Sequence, residues 1–326
     1  TGEGGYVYSE PGMYKNVGLF DIASMHPTSI EQLNLFGPYT KRFSDIKQAR
    51  VYVKHGEWKK AEALMDGQLI PFIKGIEDGT SSYSAKDLAA GLKTVINSVY
   101  GLTSAKFDNI FRDPRNVDNI VAKRGALFMI NLKHECQKHG WTVVHIKTDS
   151  IKLADVTREM AEFVMEYGKK YGYSFEHEST YDRMCIVNQS VYIAHSCYGE
   201  HNGEWFPTGA QFAQPYVYKT LFSHEPIEFK DLCETKSVTT AIYLDMNESL
   251  PDNQHSYSFV GKVGEFCPIK PGCGGGIMLR EKDGKYYSVT GTKGYRWLES
   301  EMVRTLKKES DIDESYYRKF VDDAVE

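Results

Sequence analysis

Apolar and polar positions recur with two periods along the 326 residues, and each change of period marks an element. Asn16 to Asp21 (NVGLFD) alternates like a short buried strand and ends on Asp21. From Ser44 to Met65 the period is helical, interrupted at Gly56 and stopped by Asp66-Gly67. Ser84, with Asp87 three residues on, forms an acidic capping-box pattern that opens a helix to about Tyr100. A longer helix is expected from about Val117 to Lys138, ended by Gly140. WTVVHIK reads as a strand, TDS as a tight turn and IKLAD as the returning strand. Thr157 to Tyr167 is helical, and SFEHES and CIVNQSVYIAHS read as strands. Asn202-Gly203 predicts a hairpin turn, and IMLREKDGKYYSVTG predicts a hairpin bent at Asp283-Gly284. Helices are expected near Arg296 to Lys307 and from about Asp313. Two or three α+β lobes fit this order.

Composition narrows the class. Hydrophobic residues at 41% and charged residues at 25% are ordinary globular usage and argue against wholesale disorder. No apolar run approaches the length of a membrane span, and the first residues do not read as a signal peptide. Thr1 in place of an initiator Met makes a fragment or processed chain the expectation. The net charge of -5 argues weakly against nucleic-acid binding, so local clusters of cations must carry any such case. The six cysteines form no CxxC pair and read as buried free thiols of a reducing compartment.

Three segments carry the candidate chemistry. FDIASMHPTSI (Phe20 to Ile30) is a strand that ends in a carboxylate and turns at once into Ser, His and Pro. KTVINSVYG (Lys93 to Gly101) lies on the capped helix, and HIKTDSIKL (His145 to Leu153) is a hairpin with Asp149 at its tip. In this order the segments resemble motifs A, B and C of the family B DNA polymerases, usually DxxSLYPS, KxxxNSxYG and YxDTDS. The resemblance continues in VNQSVYIAH (Val187 to His195), similar to the KxY region that holds the primer, and TGTKGYRWLE (Thr290 to Glu299) resembles the C-terminal part of phage members. It implies an α+β right-hand architecture: a palm in residues 1–40 and 105–200, short helical-hairpin fingers in 41–104 and a thumb-like region in 201–326.

The residue chemistry agrees with the resemblance. Asp21 and Asp149 both stand where a strand stops, and acids on adjacent strand ends can bridge a pair of divalent ions. Two Mg²⁺, with Mn²⁺ as a substitute, are the cofactors this implies, and the Ile22 carbonyl is a further ligand. Glu176 and Glu178 are candidate supporting acids. Leu88, Leu92, Val95, Ile96 and Val99 form a packing face, while Lys93, Asn97 and Tyr100 share another stripe, better read as a substrate surface. Arg50 and Lys54, with Lys47 one turn earlier, repeat the pattern on the preceding helix, and such cations facing Lys93 would neutralise a triphosphate. In the family this Lys meets the triphosphate, which makes Lys93 catalytic with the two acids, and the Tyr lies under the nascent base pair. Backbone N–H groups at Ser24, Met25 and His26 could hold triphosphate oxygens. His26 stands where the family usually has a Tyr that blocks a ribose 2′-hydroxyl, so the resemblance assigns it sugar selection.

Lys147 occupies the place of the first Asp of motif C. An ammonium aimed at a divalent ion about 6 Å away would cost roughly 5 kcal/mol at a dielectric near 20. Lys147 is therefore expected to turn away and meet a primer phosphate. With Thr148, Ser150, Gln189 and Tyr192 it makes up the expected DNA-binding set. The implied function is template-directed addition of deoxynucleotides to a nucleic-acid primer. Its partners are primer–template DNA, deoxynucleoside triphosphates, and an upstream exonuclease region or replication accessory proteins, in a host cytoplasm if phage-encoded. Only about twenty residues precede Asp21, so proofreading is expected to reside elsewhere. Two rivals stand: an idle DNA-binding remnant, suggested by Lys147 and the expected lack of an exonuclease region, and a metal-dependent nuclease, for which the Lys93 stripe is superfluous.

Overall fold

The computed structural model describes residues 4–326. The chain divides between Phe206 and Pro207 into two compact units. Both are mixed α+β with antiparallel sheets, and the anticipated limit at residue 200 falls inside the turn before the last strand of the first sheet.

In the first unit the order is β1 (Val7–Ser9), β2 (Gly12–Ile22), α1 (Met25–Gln32), α2 (Thr40–Lys54), α3 (Trp58–Glu62), α4 (Ile70–Glu77), α5 (Ala85–Thr103), α6 (Pro114–Val117) and α7 (Ile120–Lys138). There follow β3 (Val143–Lys147), β4 (Ser150–Leu153), α8 (Arg158–Lys170), β5 (Phe175–Ile186), β6 (Tyr192–Gly199) and β7 (Trp205–Thr208), a strand that the division crosses. The strands form one sheet in the order β1-β3-β4-β2-β5-β6-β7. β2 is apolar on both faces, which suits a central strand. Phe20 and Ile22 pack under Phe128, Met129 and Leu132 of α7 and Met160 and Val164 of α8. Val17 and Leu19 face the other way, beside Val144, Met184 and Tyr192.

Helices α2 to α5 form an arm on this sheet. Ala49 and Val53 of α2 meet Ala61, Ile73, Ala89 and Leu92 in one apolar cluster. Phe43 and Ile96 join Ile30 and Val121 in a second. The capping box at the start of α5 is present: Asp87 N–H donates to Ser84 Oγ at 3.2 Å and Ser84 N–H to Asp87 Oδ2 at 2.7 Å. Two features depart from the simple helical hairpin. The short α3 and α4 connect its long members, and Val95 stays 46% exposed because the packing face turns through Ala89 instead.

Another departure is β5, one continuous strand where only its ends read as strands. The run CIVNQSVYIAHS breaks at residues 187–191, where Val187 N–H and Asn188 N–H both donate to Val191 O and close a turn.

The second unit contains α9 (Pro215–Tyr218), β8 (Glu234–Asp245), β9 (Tyr257–Ile269), β10 (Ile277–Lys282), β11 (Lys285–Ser288), β12 (Arg296–Glu299), α10 (Ser300–Thr305) and α11 (Ser315–Val325). Its sheet runs β11-β10-β8-β9-β12. Asp283 and Gly284 take φ of 53° and 75° at the β10–β11 bend, the pair of positive values that a two-residue hairpin turn uses. Arg296 to Glu299 is a strand and not the start of a helix, because pairing with β9 buries Trp297 and Leu298. Only Cys136 and Cys267 are buried, and Cys197 is exposed, so the expectation of buried thiols fails for the others.

Candidate active site

The hairpin tip that carries Asp149 is clamped from both sides. Thr148 N–H donates to Tyr6 O at 2.9 Å, Ile22 N–H donates to Asp149 O at 2.8 Å, and the Ser150 hydroxyl donates to Lys147 O at 3.2 Å. Thr148 takes φ 56°, costly for a β-branched residue and tolerated because these bonds fix the turn. β2 pairs with β4 through Asp21 and Ser150, which brings Asp149 beside Asp21. On its other side Asp21 faces Glu176, and a bulge between Leu19 and Phe20 leaves Glu178 as the extra residue of β5.

The charges reflect this crowding. Burial first, and then Asp149, Glu178 and Glu176, push the Asp21 carboxyl up to about 7, against the pull of Lys152. Burial also raises Asp149, opposed first by a backbone hydrogen bond and then by His26, Lys152 and Lys93.

A water-accessible cleft of about 510 Å³ lies over these acids, with Ile22, Ser24, Arg50, Lys54, Lys93, Asn97 and Tyr100 among its lining residues. Ser24, at φ 54°, ends β2's turn and precedes α1, leaving the Met25 and His26 N–H groups at a helix start. The Met25 side chain is buried, packing where a Cβ on Gly125 would stand, so only its backbone can serve a ligand. His26 stacks on Tyr100 with centroids 5.0 Å apart and planes 4° apart. His26 Nδ1 and Arg50 Nε are buried polar atoms without hydrogen-bond partners, although Arg50 Nη1 donates to Ser24 Oγ at 3.4 Å. Among the described residues Lys93 and Lys54 make no ion pair. Lys47 does not extend the stripe as a free cation: its ammonium is bonded to Thr28 Oγ1 at 2.9 Å and to Glu31 at 3.1 Å.

The structure divides the expected DNA-facing set. Lys147 is exposed and Gln189 is exposed, while Thr148 and Ser150 are half-buried at the hairpin tip. Tyr192 is a correction, for it is buried against His145, with centroids 5.1 Å apart, and beneath the Lys152 ammonium at 5.2 Å. Lys152 and His145 escaped the sequence reading. The signal was a lysine between Ile151 and Leu153 on a strand buried on both faces.

Among the described residues no three His, Cys, Asp or Glu side chains converge closely enough to hold a metal ion alone. The residues that could hold one are Asp21 and Asp149, with the expected Ile22 carbonyl and oxygens of a substrate to complete the set. Such oxygen-only, partly open sets suit Mg²⁺. Acids raised by burial, and in the case of Asp21 by its acidic neighbours as well, also fit a divalent ion, whose charge favours their ionised forms. The shift has a testable sign. Because Asp21 is raised when folded, its ionisation costs stability increasingly as pH climbs through 4 to 7, and the full cost is felt above 7. In chelator at pH 8, Asp21→Asn should be more stable than wild type by about 1–2 kcal/mol, after discounting for solvent screening. Urea unfolding should show that gain shrinking towards pH 4, and equal stabilities at pH 8 would contradict it.

No family model matches the chain, and no curated protein matches it. Solved structures do. One is the family B DNA polymerase from the hyperthermophilic archaeon Pyrobaculum calidifontis, similar at TM-score 0.52 and 14% sequence identity over 97% of this chain. The chain spans 45% of that polymerase's length. At this identity the likeness is one of fold.

Proposed function

We propose that the cleft is the nucleotidyl-transfer site of a template-directed DNA polymerase, of phage type, which extends a primer 3′-end with deoxynucleotides. One observation carries the reading: Asp21 and Asp149 share a single cleft with Lys93, Arg50 and Lys54. That arrangement suits a triphosphate lying with its anionic chain on the arm and its reacting phosphorus near the acids. Divalent ions at Asp21, Asp149 and the Ile22 carbonyl, Mg²⁺ or Mn²⁺, would activate the primer hydroxyl and stabilise leaving pyrophosphate. Lys93, Arg50 and Lys54 bind the phosphates, and the Met25 and His26 N–H groups add neutral donors. Tyr100 and Asn97 face the base pair, and the ring of His26, fixed by its stack on Tyr100, stands at the sugar. The first sheet then acts as palm, the arm as fingers and the second unit as a thumb-like lobe.

Lys147 serves the primer in this reading. Its charge bears on Lys152 and His145, helping to depress both, and the largest influences on Asp21 come from other groups. Lys147→Ala should weaken primer–template binding and lower the slope of log affinity against log salt by about one. Lys147→Asp should weaken binding further. An unaltered slope with a large shift in Mg²⁺ requirement would place Lys147 at the metals instead.

The direct test is extension of a labelled primer with Mg²⁺ and four deoxynucleotides. Lengthening only opposite a template supports the proposal. Shortening would assign the site to hydrolysis, and binding without change would make the chain a DNA-binding remnant.

A further inference from the structure

Lys152 lies deep in the sheet beneath the acids. It sits opposite Leu19 of β2 on one side and His145 of β3 on the other. Cross-strand partners point to the same face, so Lys152 shares the face of Asp21, one diagonal step away and within reach of a long side chain. Only 3% of it is exposed. Its ammonium donates to His145 Nδ1 at 3.1 Å, and His145 Nε2–H donates to Gln189 O at 3.0 Å. The Tyr192 ring lies under the ammonium. This chain fixes the imidazole tautomer and holds the cation in place.

A buried ammonium is costly unless opposite charge compensates it. Among the described residues Lys152 makes no ion pair; its one hydrogen-bond acceptor is a neutral ring. The compensating charges are Asp21, Glu178 and Asp149, acting through the interior. Burial and Lys147 hold its pKa down to about 8, and those three acids oppose them. A methionine would fill the same slot without that cost, so the charge itself needs a purpose.

We infer that Lys152 is the resident counter-cation of the acidic cluster, balancing Asp21, Asp149 and Glu178 before divalent ions arrive and weakening the hold on those ions afterwards. The inference rests on reading the cluster as a metal centre. It makes Lys152 a residue that tunes metal affinity and contacts no substrate.

The test uses the full chain without DNA or nucleotide at pH 8. Mn²⁺ binding is measured from the free-ion paramagnetic resonance signal for wild type, Lys152→Met and Lys152→Gln. Both variants should bind Mn²⁺ more tightly, by roughly tenfold, because a nearby positive charge has gone. Glutamine keeps a donor for His145, so a gain in both variants isolates charge from contact. It also decides the matter alone should the methionine variant not fold. Unchanged or weaker binding overturns the inference, as does a gain confined to methionine. Primer extension by wild type, run in parallel, separates this inference from the polymerase reading. No extension with the tenfold gain sinks the polymerase and upholds the counter-cation, and extension with unmoved Mn²⁺ affinities does the reverse. No Mn²⁺ binding by any of the three proteins overturns the inference, and primer extension then decides the polymerase reading by itself.

Discussion

Asp149→Ala and Asp21→Ala are each expected to cut primer extension at least about a thousandfold while leaving primer–template binding largely intact. The two carboxylates are the strand-end oxygens of the cleft, and the turn holding Asp149 is bonded on one side to Ile22 and on the other to Tyr6. Neither neighbouring acid can step in without breaking the β2–β5 register, in which Glu176 and Glu178 are already placed. Both Asp side chains are also electrostatically costly to the fold, so their removal should not unfold it. Loss of activity in a protein that melts like wild type is therefore the expected combination. Single-turnover extension and duplex affinity, measured on the same preparations, decide it. A tenth of the wild-type rate in either variant would end the assignment.

Lys93→Ala is expected to weaken use of the incoming nucleotide and slow the chemical step, by roughly 2–4 kcal/mol in combined effect. Lys93 is exposed in the cleft, yet its charge reaches Asp149 and opposes the rise that burial gives that acid. It thus stands across from the acids, where negative charge grows as pyrophosphate departs. A contact made more strongly at that moment affects rate as well as apparent affinity. Extension over a range of nucleotide concentrations separates the two. If both stay unchanged, Lys93 is a solvated surface lysine and the triphosphate site must be sought elsewhere.

Much of this site was legible because its parts are contiguous in sequence. The strand before Asp21, the hairpin around Asp149 and the capped helix carrying Lys93 are each set by local periodicity and turn chemistry. What was not legible depends on distant packing. Lys47 resembles Arg50 and Lys54 by spacing, and only the approach of α1 to α2 gives it Glu31 as a partner. Tyr192 stands beside a polar turn in sequence, but strand pairing turns it inward onto His145. Glu178 was expected as a supporting acid, but the bulge that brings it near Asp21 is announced by no period. β8 and β9 went unread although the start of β8 alternates, because its Thr, Lys and Ser positions leave much of that strand half-exposed. The compact units and the polymerase-like fold follow the expected α+β order, while the roles given to each region rest on the chemistry proposed above.

The strand order of the first sheet bears on how the protein is born. β2 is made early, yet both its neighbours, β4 and β5, come more than about 120 residues later. Until they emerge, the apolar faces of Val17, Leu19, Phe20 and Ile22 have no strand to pair with. Long-range antiparallel pairing of this kind is slow and leaves sticky edges exposed during synthesis. A nascent chain halted before β4 should therefore aggregate more readily than the finished one. Asp21 acquires the company of Asp149 and Glu176 only when β4 and β5 pair with β2, so the repulsive acidic cluster is created in the same step as the sheet that bears it.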